Sequence, residues 1–442
     1  MVESTKRGFS GHDIPDQSIV QRCVRCGLCL PHCPTYLETL RETSSPRGRI
    51  HLIEAVGRGQ LDLTDPGFVG QMYQCLDCRA CEAACPSGVE YGRLVESARS
   101  QIERAVPGTP LKRGLRWLLL TKLFGDMRAF RGLSRLLFFY QRSGLQWLAR
   151  RLGVLRLLRL AEMERLLPPL PATFLVPADQ HYEPASGRVQ PGLPVPNAAL
   201  FAGCVMSTVF AETGRATLRV LLAHGCAVDL PSAQGCCGAL TVHAGDLEGA
   251  RVLARRNIEA FERSGLAYIV VNAAGCGAAL KEYAHLLAND PLYAERAAQF
   301  SARVRDISEF LSDLPTLPRP RALPLRMTYQ EPCHLAHAQR ITRVPRQLLQ
   351  GIPGLELLEM GESALCCGSA GIYNITQPAM SRRLRVRKVQ HTIATGADIV
   401  VTANPGCHLQ LQSGLRQARS KTRVMHLVDI LDLVYREDRE EH

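Results

Sequence analysis

The chain has 442 residues, of which 46% are hydrophobic, and its net charge is +12. Its length allows two to four domains. Its 17 cysteines fall in tight clusters, unlike those of a small secreted domain held together by disulfides. The residues up to Val20 are polar and interrupted by Gly and Pro, so no signal peptide is predicted. We therefore expect a cytoplasmic protein whose thiols bind metal.

Residues 1–105 contain two copies of the motif C-x2-C-x2-C-x3-C, and each copy is followed by proline. This spacing is typical of [4Fe–4S] proteins, in which the fourth cysteine of each motif ligates the cluster of the other motif. We therefore predict two [4Fe–4S] clusters. The first is assigned to Cys23, Cys26, Cys29 and Cys85, and the second to Cys75, Cys78, Cys81 and Cys33.

Zinc is the alternative metal for closely spaced cysteines. It needs two separated pairs of ligands, however, and leaves the triple spacing and the Cys-Pro steps unexplained. The 41 residues between Cys33 and Cys75 are too many for a compact bacterial ferredoxin, and they contain a helix-like run at 49–58. Residues 1–105 therefore resemble the α-helical ferredoxins of respiratory iron–sulfur subunits, which carry electrons and perform no bond chemistry.

Residues 106–195 are predicted to form basic, Leu-rich helices followed by an exposed Pro-rich linker at 168–196. Between Leu111 and Leu160 there are twelve Lys or Arg and one acid, Asp126. No run of 18 apolar residues occurs there, so no transmembrane helix is predicted. Two interpretations stay open: a helix lying on an anionic membrane surface, or a helix pair packed on its own domains. No nucleic-acid-binding motif accompanies the charge, so nucleic acid is not an expected partner.

The remaining sequence, 196–320 and 321–442, repeats one order of strand, Cys, strand, Cys-Cys-Gly, strand, Cys. Equivalent cysteines are 129 to 131 residues apart. The pattern predicts two tandem α/β units with parallel sheets, with the cysteines after strand ends, where open α/β sheets place ligands. The whole chain is thus predicted to be an α+β multidomain protein. The repeat cysteines are Cys204, Cys236, Cys237 and Cys276 in the first unit and Cys333, Cys366, Cys367 and Cys407 in the second.

These repeats resemble the cysteine-rich "CCG" domain shared by heterodisulfide reductase, anaerobic glycerol-3-phosphate dehydrogenase, lactate-utilisation proteins and glycolate oxidase. The chain is most similar to the iron–sulfur subunits of glycolate oxidase, and the similarity covers essentially the whole chain. The motifs that carry it are NAAGCG at 272–277, YQEPCHL at 329–335 and CCGSAG at 366–371.

The resemblance implies an oxidoreductase subunit that relays electrons from FAD on a partner flavoprotein dehydrogenase to a membrane quinone or another acceptor. Glycolate itself would be oxidised on the partner, and no catalytic residue is assigned to this chain. No G-x-G-x-x-G follows a strand here, so no flavin or nicotinamide fingerprint is visible. The implied location is cytoplasmic, with the inner face of the plasma membrane as the peripheral alternative.

The chain departs from the heterodisulfide reductase type, in which each repeat ends in a Cys-x-x-Cys pair and can hold a non-cubane cluster. Ala273 and Asn404 stand where the earlier cysteine of each pair would be. Four cysteines per repeat leave two interpretations open: a further cluster, favoured in the second repeat, or free thiols in a structural domain.

Other functions also stay open. They are an iron–sulfur subunit of a lactate-utilisation or anaerobic glycerol-3-phosphate dehydrogenase complex, a heterodisulfide-reductase-like enzyme with its active site in the repeats, and a scaffold that docks a dehydrogenase to the membrane.

Overall fold

The computed structural model describes residues 7–106, 123–157, 167–184, 195–314 and 318–436, together with the single residues 114, 118, 160 and 164. Over these residues the protein is of mixed α and β structure, with a helical N-terminal part and two separate sheets. Within the described part, no helix combines the length and the apolarity needed to cross a bilayer.

The N-terminal part is built from short helices that begin where the sequence gives a start signal. Ser45 and Asp65 cap two of them and are followed by Pro46 and Pro66 at the first helical position, where proline costs no hydrogen bond. The run expected at 49–58 is part of one such helix, which confirms that prediction. The helices are Gln17–Gln21, Pro34–Thr39, Pro46–Gly57, Pro66–Gln74, Ala80–Ala83 and Tyr91–Ala105, with 3₁₀ turns at Leu30–His32 and Glu42–Ser44.

Three helices follow in the basic middle segment: Met127–Arg142, Leu145–Arg151 and Val154–Leu157. The first of them packs Met127 and Phe130 in one apolar cluster with Cys204 and Cys236 of the first repeat. Much of the segment before residue 123 lies outside the described residues. The middle segment therefore packs on its own protein along one side of its first helix.

The described part of that Pro-rich stretch is mostly exposed or half-buried, but it is attached to the protein at two leucines and one strand. Leu170 and Leu175 are buried, and Leu175 belongs to the core shared by both repeats. Gln180–Tyr182 forms strand β1, which pairs antiparallel with the strand Ala227–Leu230. The unpaired backbone groups at the edge of the first sheet supply the hydrogen bonds of β1, and this tertiary pairing overrides the Pro-rich composition.

The first repeat forms a five-stranded sheet of order β1-β3-β2-β4-β5, parallel except for β1. The three predicted strands are confirmed, whereas β5 was not predicted. The strands are β2 Asn197–Phe201, β3 Ala227–Leu230, β4 Tyr268–Val271 and β5 Val304–Asp306. The helices are Val205–Thr208, Ala211–Ala223, Ala239–His243, Leu247–Glu262, Ala274–Lys281, Tyr283–Leu286, Ala294–Arg303 and Ile307–Ser312.

The second repeat forms a four-stranded parallel sheet of order β7-β6-β8-β9. This is the order of β3-β2-β4-β5 in the first sheet, so the repeat in sequence is a repeat in topology. The strands are β6 Arg326–Tyr329, β7 Glu356–Leu358, β8 Ile399–Thr402 and β9 Arg423–His426. The helices are Val344–Gln350, Tyr373–Thr376, Pro378–Ala394, Pro405–Gln417 and Leu427–Tyr435, with a π-helical turn at His334–Ala338.

The two repeats share one hydrophobic core. Val220 and Leu221 of the first repeat and Ile430 and Leu431 of the second are fully buried in the same apolar cluster. At the rim of this contact Arg219 Nη2 lies 2.7 Å from a carboxylate oxygen of Asp432. The repeats are therefore packed as a pair, which sets the spatial relation between their cysteines.

Gly368, the glycine of the second Cys-Cys-Gly, has a φ of +84°, and a Cβ there would lie 2.9 Å from the Ser381 carbonyl oxygen. Gly144 has the same φ with no atom within 4 Å. Both Gly→Ala variants carry the left-handed backbone strain, and Gly368→Ala adds a packing clash. We expect Gly368→Ala to lose about 1–3 kcal/mol more stability than Gly144→Ala, measured by urea unfolding of the holoprotein. Equal losses would contradict the tight packing at Gly368.

Candidate iron–sulfur sites

The eight N-terminal cysteines surround two small cavities. Cys23, Cys26, Cys29 and Cys85 line the first, of about 30 Å³, which Cys81 also reaches. Cys33, Cys75, Cys78 and Cys81 line the second, of about 20 Å³. Each cavity therefore collects three cysteines of one motif and the fourth of the other, as the spacing leads one to expect. The ligand sets themselves stay a prediction.

The two motif loops have the same backbone shape. Residues with positive φ stand at equivalent places, Arg25 and Gly27 in the first loop and Asp77 and Arg79 in the second. Glycine adopts this conformation without strain, whereas a residue with a Cβ pays for it. Arg79 is held there by carboxylates, with its guanidinium 3.1 Å from Asp77, 3.3 Å from Glu82 and 2.7 Å from Glu96.

Hydrogen-bond donors face several of the sulfurs. The backbone N–H of Asp77 lies 3.3 Å from Cys75 Sγ, and that of Val89 lies 3.5 Å from Cys85 Sγ. The Thr35 hydroxyl lies 3.3 Å from Cys33 Sγ but donates its proton to the Ser44 carbonyl oxygen at 2.8 Å. The N–H donors stabilise a thiolate, and in a cluster they raise the reduction potential. The surroundings therefore suit anionic sulfur ligands.

Buried arginines, which sequence reasoning missed, stand beside the second cavity. Arg49 is fully buried, donates to Thr35 Oγ1 at 3.0 Å, and approaches Cys33 Sγ at 4.0 Å. Arg99 is also buried and donates to the Met72 carbonyl oxygen at 2.9 Å. A cation at these places offsets the negative charge that four thiolates bring. The only sequence signal was a basic residue on the apolar side of a helix.

The two sites differ in exposure. Cys26 is exposed, and the apolar side chains of Val24 and Leu28 beside it are also exposed. Cys75 and Cys78, by contrast, are buried. Burial raises the pKa of Cys29 to about 11 and that of Cys78 well above its usual value, so these thiols ionise at neutral pH only if positive charge is supplied. The first site is at the surface and the second is internal.

Both predicted quartets of repeat cysteines also come together. In the first repeat, the sulfurs of Cys204 and Cys236 are 3.7 Å apart and those of Cys237 and Cys276 are 3.3 Å apart. The corresponding distances in the second repeat are 3.9 Å for Cys333 and Cys366 and 3.4 Å for Cys367 and Cys407. Cys276 and Cys407 lie in the first turns of helices, where the helix dipole favours negative charge.

The two quartets differ in a buried cation. In the first repeat the side chains that donate to the carbonyl oxygens of Cys236 and Cys237 are the neutral Asn257 and Tyr283, whereas a lysine lies near the second quartet. Lys388 is almost fully buried, and its ammonium donates to the carbonyl oxygens of Glu362 and Ser363. Burial lowers the pKa of Lys388, while Cys367, Cys366 and Cys407 act in the opposite direction because they lie close to it. One hundred and thirty residues earlier stands Ile258, which is fully buried and apolar.

Asn404, which replaces a cysteine of the heterodisulfide reductase pattern, participates in the second quartet. Its amide nitrogen lies 3.6 Å from Cys407 Sγ, and its amide oxygen accepts a hydrogen bond from the Gly275 backbone at 3.1 Å. The side chain therefore ties the second quartet to the first repeat.

The second ferredoxin-type site adjoins the second quartet. Cys78 lies in one apolar cluster with Cys366 and Tyr373, and Cys333 packs against it. The Tyr373 hydroxyl donates to the Gln74 carbonyl oxygen at 2.8 Å. These contacts join the N-terminal part to the second repeat at the place where their cysteines meet.

A larger cavity of about 1080 Å³ lies between the N-terminal part and the first repeat. It is lined by Cys237, His243, His334 and Arg79, and Arg79 also lines the second small cavity. His334 Nε2 donates to the Asp77 carbonyl oxygen at 2.9 Å, and burial lowers the pKa of His334 to about 4. This imidazole is therefore neutral at pH 7.

The comparisons with known proteins agree with this arrangement. A 4Fe-4S dicluster domain matches residues 19–89, and a cysteine-rich domain matches 198–281 and 327–412. The family described as "Glycolate oxidase iron-sulfur subunit, linker region" matches 111–167.

Three relatives illustrate the similarity. A Bacillus subtilis protein named "Probable glycolate oxidase iron-sulfur subunit" is 41% identical over 94% of both chains. The glycolate oxidase iron-sulfur subunit of Escherichia coli is 34% identical, also over 94% of both. Lactate utilization protein A of Oceanobacillus iheyensis is 32% identical over 53% of this chain and 96% of its own.

The fold and the cysteines thus define an iron–sulfur protein that joins a dicluster domain to two cysteine-rich repeats. The chain belongs to the family of glycolate oxidase iron–sulfur subunits.

The crossed ligand sets can be tested with two double variants. If Cys26 and Cys85 share a cluster, Cys26→Ala with Cys85→Ser damages one cluster, whereas Cys26→Ala with Cys33→Ser damages both. We expect the first variant to keep about four more irons per chain than the second, measured as iron and acid-labile sulfide after anaerobic purification. If instead the variant with Cys33→Ser keeps more iron than the variant with Cys85→Ser, each motif ligates its own cluster.

Proposed function

We propose that the chain is the electron-transfer subunit of a flavin-dependent glycolate (2-hydroxy acid) dehydrogenase. It receives electrons from FAD on a partner flavoprotein subunit and passes them to a quinone or another acceptor. [4Fe–4S] clusters take up and release one electron at a time. Oxidation of the hydroxy acid falls to the partner. The succession of three neighbouring cysteine sites, from the surface to the interior, is the observation that carries the proposal.

The proposal assigns a role to each part of the chain. Residues 1–105 are the dicluster domain, 106–195 a basic helical and linking segment, and 196–320 and 321–442 the two cysteine-rich domains. Cys26 is exposed whereas Cys78 is buried. This supports the site around Cys26 as the one nearest the partner, because the flavin must come close to the cluster that it reduces. The internal site around Cys78 then lies between it and the second repeat.

We further propose that Cys333, Cys366, Cys367 and Cys407 hold an additional cluster, whereas the first quartet does not. The buried Lys388 supports this, because an ammonium near Cys366, Cys367 and Cys407 would offset thiolate charge that burial makes costly. Contact with Cys78 supports it too, since a further cluster here would extend the relay. The first quartet has the apolar Ile258 in place of the lysine.

A heterodisulfide-reductase-like enzyme is the second candidate. The cavity of about 1080 Å³ that reaches Cys237 favours it, because a substrate could approach the first quartet there. A lactate-utilisation role has less support, since the relative of that name matches only 53% of this chain.

Electron transfer from the partner should depend on the apolar surface beside Cys26. Leu28 is 55% exposed, and a charge there would have to be desolvated in the complex. We expect Leu28→Arg to slow the glycolate-dependent reduction of the clusters by the partner flavoprotein about tenfold. The rate is measured as the loss of the clusters' visible absorbance.

Leu433→Arg is the matched control, because Leu433 is 47% exposed on a C-terminal helix away from these cysteines. If both substitutions leave the rate unchanged, the partner docks elsewhere. If the unsubstituted chain is not reduced at all, the proposed function is wrong.

Metal content tests the additional cluster. We expect about twelve irons per full chain, and a loss of about four in Cys367→Ser. The equivalent substitution in the first repeat, Cys237→Ser, should leave the iron content unchanged. About eight irons in all three proteins would contradict a cluster in the second repeat. One zinc in place of four irons, which closely spaced cysteines can also bind, would contradict it as well.

A further inference from the structure

The middle segment exposes an unusual amount of apolar surface. Phe139 is 61% exposed, Trp147 60% and Leu157 83%, and each lies on a different one of the three consecutive helices. Leu136, Leu148 and Leu152 are exposed beside them. The helix Leu145–Arg151 has no buried residue. Large exposed apolar side chains concentrated in one segment of a folded protein indicate an interaction surface.

Packing on the protein's own domains accounts for only one side of this segment. In the helix Met127–Arg142 the buried residues are Met127, Phe130 and Ser134. Phe139 follows Phe130 by nine residues, which at 3.6 residues per turn places it on the opposite side of the helix. Within the described residues, the first repeat contacts one side of the helix and residues 168–174 contact Arg135 and Gln141, whereas Phe139 on the opposite side is exposed.

The charge of the segment identifies the kind of partner. Residues 127–157 contain seven Arg and no Lys, Asp or Glu. One of the seven, Arg150, is paired with the buried Glu164 at 2.7 Å. The guanidinium of Arg151 lies 5.0 Å from the centre of the Trp147 ring, and that of Arg142 lies 5.6 Å from the centre of the Phe138 ring. Arginine around Trp, Phe and Leu is the composition of helices that lie in the interface of an anionic bilayer.

We propose that the three helices at 127–157 form a docking surface for an anionic lipid bilayer, with Phe139, Trp147 and Leu157 inserted among the lipids and the exposed Arg142 and Arg151 at the headgroups. The same helix that presents Phe139 packs Met127 and Phe130 against Cys204 and Cys236. Docking would thus bring the first repeat next to the membrane. This inference deepens the proposed function, because it places the chain where a lipid-soluble acceptor is found.

The test is flotation of the full holoprotein with vesicles of phosphatidylglycerol and phosphatidylcholine, and with vesicles of phosphatidylcholine alone. We expect binding to the anionic vesicles that weakens as salt is raised, and at least about tenfold weaker binding to the neutral ones. The combined variant Phe139→Glu with Trp147→Glu should lose at least about tenfold in binding to the anionic vesicles. Its matched control is Val252→Glu with Leu433→Glu, at two exposed apolar residues outside the segment, which should bind like the unsubstituted chain.

Glycolate-dependent cluster reduction by the partner flavoprotein is measured in solution on the same proteins. Retained reduction together with lost vesicle binding supports the inference and separates it from a folding defect. The inference is overturned if the unsubstituted chain ignores anionic vesicles, or if the combined variant binds them normally. It is also overturned if the combined variant still binds the vesicles but is no longer reduced by the flavoprotein, because the surface would then be a protein interface. Failure of cluster reduction in every protein, with vesicle binding intact, would overturn the proposed function alone.

Discussion

Thiolate charge inside a protein must be offset by cations or hydrogen-bond donors, and much of this structure is arranged around that requirement. Arg49, Arg79 and Arg99 are buried near the internal cysteines. Arg49 and Arg99 donate to the carbonyl oxygens of Gln71 and Met72, at the end of the helix that leads into the second motif. The surface site relies less on buried cations because water reaches Cys26. Burying the cysteines is therefore possible only together with the arginines that offset their negative charge.

Arg79 links several levels of the structure. Its strained backbone conformation closes the second motif loop, and its guanidinium pairs with Glu96 of the N-terminal part and, at 3.2 Å, with Glu282 of the first repeat. Gly92 leaves the room this side chain occupies, since a Cβ there would collide with the guanidinium. A buried ion-pair network is costly unless every partner is in place, so this residue fixes how the first repeat sits on the dicluster domain.

The two repeats show how one fold acquires two environments. Their sheets have the same strand order, and each gathers four cysteines at equivalent places. The second quartet lies near the internal ferredoxin-type site and the buried Lys388. In the first quartet, Cys204 and Cys236 pack against the helix Met127–Arg142, and Cys237 lines the larger cavity. The two repeats therefore have the same fold, but the residues around each quartet give its thiols a different environment.

The sequence by itself determined the chemistry that is local in the chain. The motif spacing led to the assignment of the eight cysteines to two clusters, which stays a prediction, although Cys81 lines both small cavities. The 130-residue offset predicted two like units, because a regular repeat in sequence folds into a repeated structure. Only the tertiary structure decided that Gln180–Tyr182 is a strand, that Arg49 and Lys388 stand beside thiols, and that the middle helices turn one side outward. These features depend on contacts between distant residues, where the energy of burial and pairing overrides what composition alone suggests.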